Sequence, residues 1–288
     1  MLPAGDATTA TEGAILSVPP GTDRIVDFLL ECIGFPPETP IDEIVARVLA
    51  DGEPATWRGT PENHRRLPLG SGLEIRIDKE DGRSSWSVLP HYQVTHRLRV
   101  AVDEIRTMPD SPFDALVHGW ASPPLDPEEA RLQPGAYRIS AFVTDARRLP
   151  PRLPFGHVLA LSVAGFALDV SRIAPEPGNA LASLPTEEPG TRIVPLGASG
   201  DPGGCSDVSL RIRRILHLEN PITKVPVELL EVEAPGRPLE LFVSRWQLEK
   251  DSVERPRPGW WIEGTFVFSG RISGGLPGLR PRAQASFG

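Results

Sequence analysis

Leu73-Glu74-Ile75-Arg76-Ile77-Asp78, followed by Asp81-Gly82 and then Trp86 and Val88, is the stretch on which the reading of the fold turns. Apolar and charged side chains alternate with a period of two, the spacing of a strand that buries one face, and Asp-Gly supplies a turn. The segment predicts a β-hairpin. The same alternation recurs downstream at 96–105 (Leu98, Val100, Val102), 115–120, 135–144 (Tyr137, Ile139, Ala141, Val143) and 158–170. Residues 67–173 therefore read as one mostly antiparallel β unit.

Further along, 174–206 combines Pro, Gly, Ser and acidic residues without periodicity and reads as a linker or long surface loop. Strand patterns resume at 208–218, 225–232, 239–246 and 260–272, which makes 207–272 a second β unit. Its short strands, packed closely in sequence, predict a small barrel that resembles in outline a five-stranded OB-type barrel. That likeness is one of fold alone and implies no functional residues. Residues 273–288 have the composition of a disordered tail. Pro134-Gly135 before one strand and Pro258-Gly259 before another form an internal echo, which would set Tyr137, Ile139 and Ala141 against Trp260, Ile262 and Gly264.

Upstream of the hairpin the period is helical. Thr22 or Asp23 can cap a helix carrying Ile25, Val26, Leu29, Leu30 and Ile33, and Gly34 ends it. Thr39 can cap a second, with Pro40 at its first position and Ile41, Ile44, Val45, Val48 and Leu49 on one face up to Gly52. Residues 1–66 thus form an N-terminal segment with a short helical hairpin. The fold class that follows is α+β and β-dominated: the helical hairpin, then two mostly antiparallel β units, the second a small OB-like barrel.

Composition narrows the functions. The chain has 288 residues, 33 prolines, 27 glycines and a net charge of −8, with 40% hydrophobic and 24% charged residues. This is a folded, turn-rich protein, and its acidity disfavours duplex nucleic acid, whose affinity comes from neutralised phosphates. Only three lysines occur, so nearly all positive charge is guanidinium. Cys32 and Cys205 are the only cysteines and imply no disulfide framework. The N-terminus lacks a basic, then apolar, leader pattern, and no stretch reaches the length of a membrane span. A bacterial, cytoplasmic location is the expectation.

The search for chemistry returns little. His91 and His96 are five apart, so on one strand they point to opposite faces and do not share an ion; no metal site and no cofactor is expected. Gly197-Ala198-Ser199-Gly200 lacks the spacing of a nucleophile elbow, Gly70-Ser71-Gly72 precedes a strand rather than a helix, and no catalytic residue is assigned. An aromatic and cationic group in the second β unit stands out: Arg245, Trp246, Trp261 and Arg271. In the last strand Trp260, Ile262, Gly264, Phe266 and Phe268 make the core face. Trp261 and Arg271 lie on the other face, beside Arg245 one strand earlier, as a stacking platform. The expected function is that of a non-catalytic intracellular binding or scaffold protein acting through protein–protein contacts. Single-stranded nucleic-acid binding by the barrel is the alternative, and an enzyme whose groups, such as Glu104, Asp114, His96 or His118, meet only in space is the second.

Overall fold

The computed structural model describes residues 29–55, 63–79, 86–94, 96–108, 111–150, 153–177, 191–196 and 204–277. The first arm of the expected helical hairpin falls mostly before residue 29, outside the described residues. Leu29–Glu31 end a helical stretch, and Gly34 turns the chain with φ +88°. The second arm is α1 (Ile41–Asp51), whose cap position is Pro40 rather than Thr39, with no side-chain hydrogen bond. Ile44, Val45 and Val48 are buried, while Ile41 and Leu49 at the edges of the stripe stay exposed.

The expected hairpin lies within a small antiparallel sheet of β1 (Glu53–Pro54), β2 (His64–Gly70), β3 (Leu73–Asp78) and β4 (Ser87–Tyr92), paired in that order. The turn at Asp81-Gly82 lies outside the described residues. Leu73, Ile75 and Ile77 are buried as their phase requires, but so are Glu74, Arg76 and Asp78 on the opposite face.

The remaining strands are β5 (Leu98–Met108), β6 (Ser111–Ala121), β7 (Tyr137–Val143), β8 (His157–Ala174), β9 (Arg192–Pro195), β10 (Cys205–Glu219), β11 (Pro226–Glu233), β12 (Leu239–Ser244) and β13 (Trp261–Gly274). A short α2 (Pro127–Leu132) joins β6 to β7, a 3₁₀ turn (Ala146–Arg148) follows β7, and α3 (Arg245–Lys250) follows β12. All nine strands belong to one mixed, ring-like sheet. The strands of 207–272 are thus drawn into a sheet with those of 67–173, and two of the pairings, β7 with β13 and β8 with β12, are parallel. The fold is β-dominated with few helices, as the alternation implied.

Arg245 and Trp246 sit in α3, not in a strand. Ser244 accepts from the backbone of Gln247 while the Gln247 side chain accepts from the backbone N–H of Ser244, a capping box that turns the chain out of β12.

Two circuits of ladders share β8 and β13. One runs β5–β6–β7–β13–β8; the other runs β10–β11–β12–β8–β13. Their registers match position by position. Ile105 faces Val117, Val117 faces Ala141 and Ala141 faces Phe268. In the second circuit Ile215 faces Leu230, Leu230 faces Leu241 and Leu241 faces Gly165. Gly165 and Phe268 then face each other near the middle of the shared ladder. Each first strand also breaks register at the corresponding place, between Val102 and Glu104 and between Ile212 and Arg214. The segments after the third strands clasp the shared pair alike: Thr144 donates to the carbonyl of Gly270, and Gln247 donates to that of Ala167.

The chain therefore folds as two copies of one four-strand unit, each supplying its fourth strand to the other's circuit. The counterpart of β13 is β8, whereas the sequence echo set it against β7, its parallel neighbour. One apolar core runs through both circuits, with Phe166 stacked on Phe242 at 5.3 Å and Tyr92 of the small sheet edge-on to Phe242 at 5.0 Å.

Candidate functional site

The densest chemistry lies on the second face of the small sheet. Glu74 of β3 faces His91 of β4, and Arg76 follows two residues later on the same face. The Arg76 guanidinium meets Glu74 Oε1 from both Nε and Nη2 at 2.7 Å, and its Nη1 donates to Thr144 Oγ1 at 3.3 Å, which ties the small sheet to the large one. Glu74 Oε2 accepts from Arg66 at 3.3 Å and from Gln93 at 3.2 Å. His91 Nδ1 lies 3.1 Å from Glu74 Oε1, although neither ring nitrogen makes a well-formed hydrogen bond. On the same sheet His64 Nδ1 stands 2.7 Å from Asp78 Oδ1, both buried.

Burial alone would raise the Glu74 carboxyl, but His91 and Arg76 beside it bring it down to about 2. Burial pushes the His91 ring down to about 4, against the pull of Glu74, and Arg76 and Arg271 add to the lowering. The carboxylate thus stays ionised and the imidazole neutral at pH 7. With both oxygens of Glu74 engaged and the group 1% exposed, its lone pairs face protein rather than a cleft. This arrangement is a clamp between sheets.

A pH dependence follows. His91 takes up its proton near pH 6.5 in the unfolded chain but only near 4 in the fold, so stability falls as pH drops from 6.5 to 4. The loss amounts to roughly 3 kcal/mol. Glu74 adds a further loss between 4.5 and 2. Urea unfolding midpoints measured from pH 7 to 4 should decline in wild type and flatten in His91→Gln; a wild-type curve flat over that range would contradict the assignment.

On the outer side of the first circuit, Glu104 faces His118, and His118 faces Ser140, a carboxylate, imidazole and hydroxyl in a row across β5, β6 and β7. His118 Nε2 and Ser140 Oγ are buried without hydrogen-bond partners, and burial lowers the His118 ring. Ser140 is 0% exposed, so it cannot meet a substrate in this conformation. Glu104 is engaged by Arg106 at 2.7 Å, and Arg138 reaches Asp103 at 2.8 Å while lying over Trp120 at 5.3 Å. Asp114 is buried on β6, and His96 is exposed near Glu240. Among the described residues no three of His, Cys, Asp and Glu gather as metal ligands.

The four residues singled out from the sequence lie apart. Arg245 pairs with Glu249 at 3.2 Å along α3, and Trp246 lies under Lys250 at 5.0 Å. Trp261, half-buried, opens β13 opposite Ala174, and Arg271 is exposed opposite Ser162. Ten residues of strand separate those two, about 33 Å of chain. The face of β13 that carries them is mostly covered, with Glu263, Val267 and Ser269 buried. Trp260, expected in the core, is half-buried beneath Arg257 at 4.6 Å.

A small cleft that sequence reasoning missed opens where β5 and β12 begin. It is lined by Val94, His96, Arg97, Leu98, Val163, Arg237, Pro238, Leu239 and Glu240. Its floor, Leu98, Val163 and Leu239, is buried, and Arg97 and Arg237 at the rim are exposed. No helix among the described residues is long and apolar enough to cross a membrane. No protein-family model, curated protein or solved structure matches this chain.

Proposed function

We propose that the protein is a non-catalytic binding or scaffold protein that works through contacts with another protein. The observation that carries this is the connection between β6 and β7, which holds Leu125, just before α2, and Leu132, its last residue, at 85% and 89% exposure. Two large apolar side chains so fully in water on one short segment exceed what scattered surface leucines explain. Asp126 caps α2 and Glu128 and Glu129 fill its first turn, so the segment offers apolar anchors with acidic neighbours. It suits an apolar groove with a basic rim. Phe155, 84% exposed in the turn before β8, is a further candidate contact. The matched registers support reading each five-strand circuit as an OB-type barrel, the second completed by β8. Nucleic-acid binding finds less support, because Asp103 and Glu104 engage the arginines around Trp120.

Leu125→Ser with Leu132→Ser should leave folding stability within about 0.5 kcal/mol of wild type, since both side chains are already in water. The double variant should lose at least nine tenths of a partner captured from lysate of the source organism in the presence of nuclease. Equal capture by variant and wild type would reject this surface, and capture that depends on nucleic acid would favour the alternative.

A further inference from the structure

The two four-strand units differ in the connection between their second and third strands. Between β11 and β12 it is the short turn 234–238, whereas between β6 and β7 it is the longer excursion 122–136 that carries α2. The two connections touch, since a Cβ on Gly236 would lie 2.6 Å from Ser122 Oγ. The neck of the excursion is fixed. Ser122 donates its N–H to the carbonyl of Arg99 at 2.8 Å, the Arg99 guanidinium donates to that of Pro123 at 2.9 Å, and Ala136 donates to that of Ala121 at 2.8 Å. Beyond the neck, α2 packs extensively against no other element.

A helix of six residues that buries no large side chain is not stable by length or by packing. Local signals hold α2 instead. Asp126 accepts from the backbone N–H of Glu128 at 2.9 Å, a proline occupies the first helical position, and Glu128 and Glu129 fill the first turn. Arg131 pairs with Glu128 at 2.9 Å in the last turn. Gln133, extended at φ −133° and followed by Pro134, stops the helix there. These signals stabilise a segment that adds nothing to the core, so what they preserve is the shape in which it meets something else.

Helical spacing sets Leu132 one turn beyond Glu128 and Glu129 and between them. Glu128 is taken up by Arg131, while Glu129 is exposed and pairs with no described residue. An apolar side chain in water beside an unpaired carboxylate fits an apolar surface edged with cations, and an anionic lipid surface would repel it. A helix supplies such a surface in the grooves between its side-chain ridges.

We propose that α2 docks preformed on the apolar face of a basic amphipathic helix of the partner protein, with Leu125 and Leu132 in its grooves and Glu129 against a lysine or arginine at its edge. This deepens the protein-binding reading and rests on it.

The test is a titration of the full chain with a helical peptide that repeats Leu-Lys-Lys-Leu-Leu-Lys-Leu, followed through the methyl resonances of Leu125 and Leu132. The same peptide with glutamate for lysine, and vesicles of anionic phosphatidylglycerol, are the comparison arms. The basic peptide should bind about tenfold more tightly than the acidic one and shift both leucines. Leu132→Ser should weaken it about tenfold and Glu129→Gln about threefold. Asp126→Ala, which removes the cap, should weaken it about threefold while thermal unfolding stays as in wild type. Equal binding of the two peptides, unshifted leucine methyls, or a Leu132→Ser variant that binds like wild type overturns the proposal. Full binding by Asp126→Ala also overturns it, since the helix would then not need to be preformed, and binding to the vesicles would reassign the surface to lipid. If the peptide fails while Leu125→Ser with Leu132→Ser still loses the partner captured from lysate, the protein-binding reading stands and only the basic helix falls.

Discussion

Arg76→Ala should cost 3–5 kcal/mol of folding stability, the range found when one member of a buried ion pair is removed and the other is left behind. Arg76 is 2% exposed, and without it Glu74 keeps the longer contacts from Arg66 and Gln93 and the neutral His91 ring at 3.1 Å inside a desolvated interface, with no charge at 2.7 Å to balance its own. The link to Thr144 goes as well, so the small sheet loses a polar anchor on the large one. Since whole domains are held by about 5–15 kcal/mol, this variant should lie near the edge of folding, and urea denaturation will measure it. The companion is Arg76→Met with Glu74→Gln, which removes both charges and keeps the bulk. It should recover more than half of the loss. A loss below about 1 kcal/mol for Arg76→Ala would mean that water replaces the guanidinium, and the clamp would then be no clamp.

Gly270→Ala is expected to be comparably damaging for a steric reason. A Cβ at 270 would lie 1.9 Å from the carbonyl oxygen of Ser162 and 2.8 Å from Val163 Cα, all rigid backbone of β8 across the shared ladder. Neither strand can retreat, because β13 is also held by β7 and β8 by β5. Overpacking a core costs about 1–3 kcal/mol, and a clash with ladder backbone belongs at or above the top of that range. Gly274→Ala is the control: its Cβ would meet Ala160 Cβ at 3.5 Å, an ordinary contact. Thermal unfolding should separate the two variants widely. Equal melting temperatures would show that the β8–β13 ladder is more pliable than its pairings suggest.

Much of the architecture was legible in the alternation of Leu73, Ile75 and Ile77 and of Tyr137, Ile139, Ala141 and Val143, because a period of two follows from strand geometry alone. What covers the other face is a tertiary fact. Glu74 and Arg76 read as a solvated edge, yet the fold lays that face against Thr144 and buries it. Arg245 and Trp246 were misplaced for a local reason that the sequence did carry: Ser244 and Gln247 are spaced as a capping box, a stop signal for the strand. The repeat stayed hidden because its counterparts keep no fixed interval: Val102 answers to Ile212, Val117 to Leu230 and Ala141 to Leu241. Strand patterns of this kind agree in phase but differ in residue identity, so the echo in the glycines matched the wrong strands. Arg97 and Arg237 could not have been joined from sequence, since only the ladder circuits bring their strands to one place.

The exchange of fourth strands also sets a timetable for synthesis on the ribosome. β5 to β8 leave the exit tunnel before β9 to β12, but their circuit lacks β13, which follows all of these. Until that strand emerges, both circuits expose unpaired edges, so the nascent protein must carry a half-built sheet while β9 to β12 are made. The last strand to appear completes both halves at once. Truncation before Trp261 should therefore strip closure from both circuits at once, since it removes the pairings of β13 with β10 and with β7.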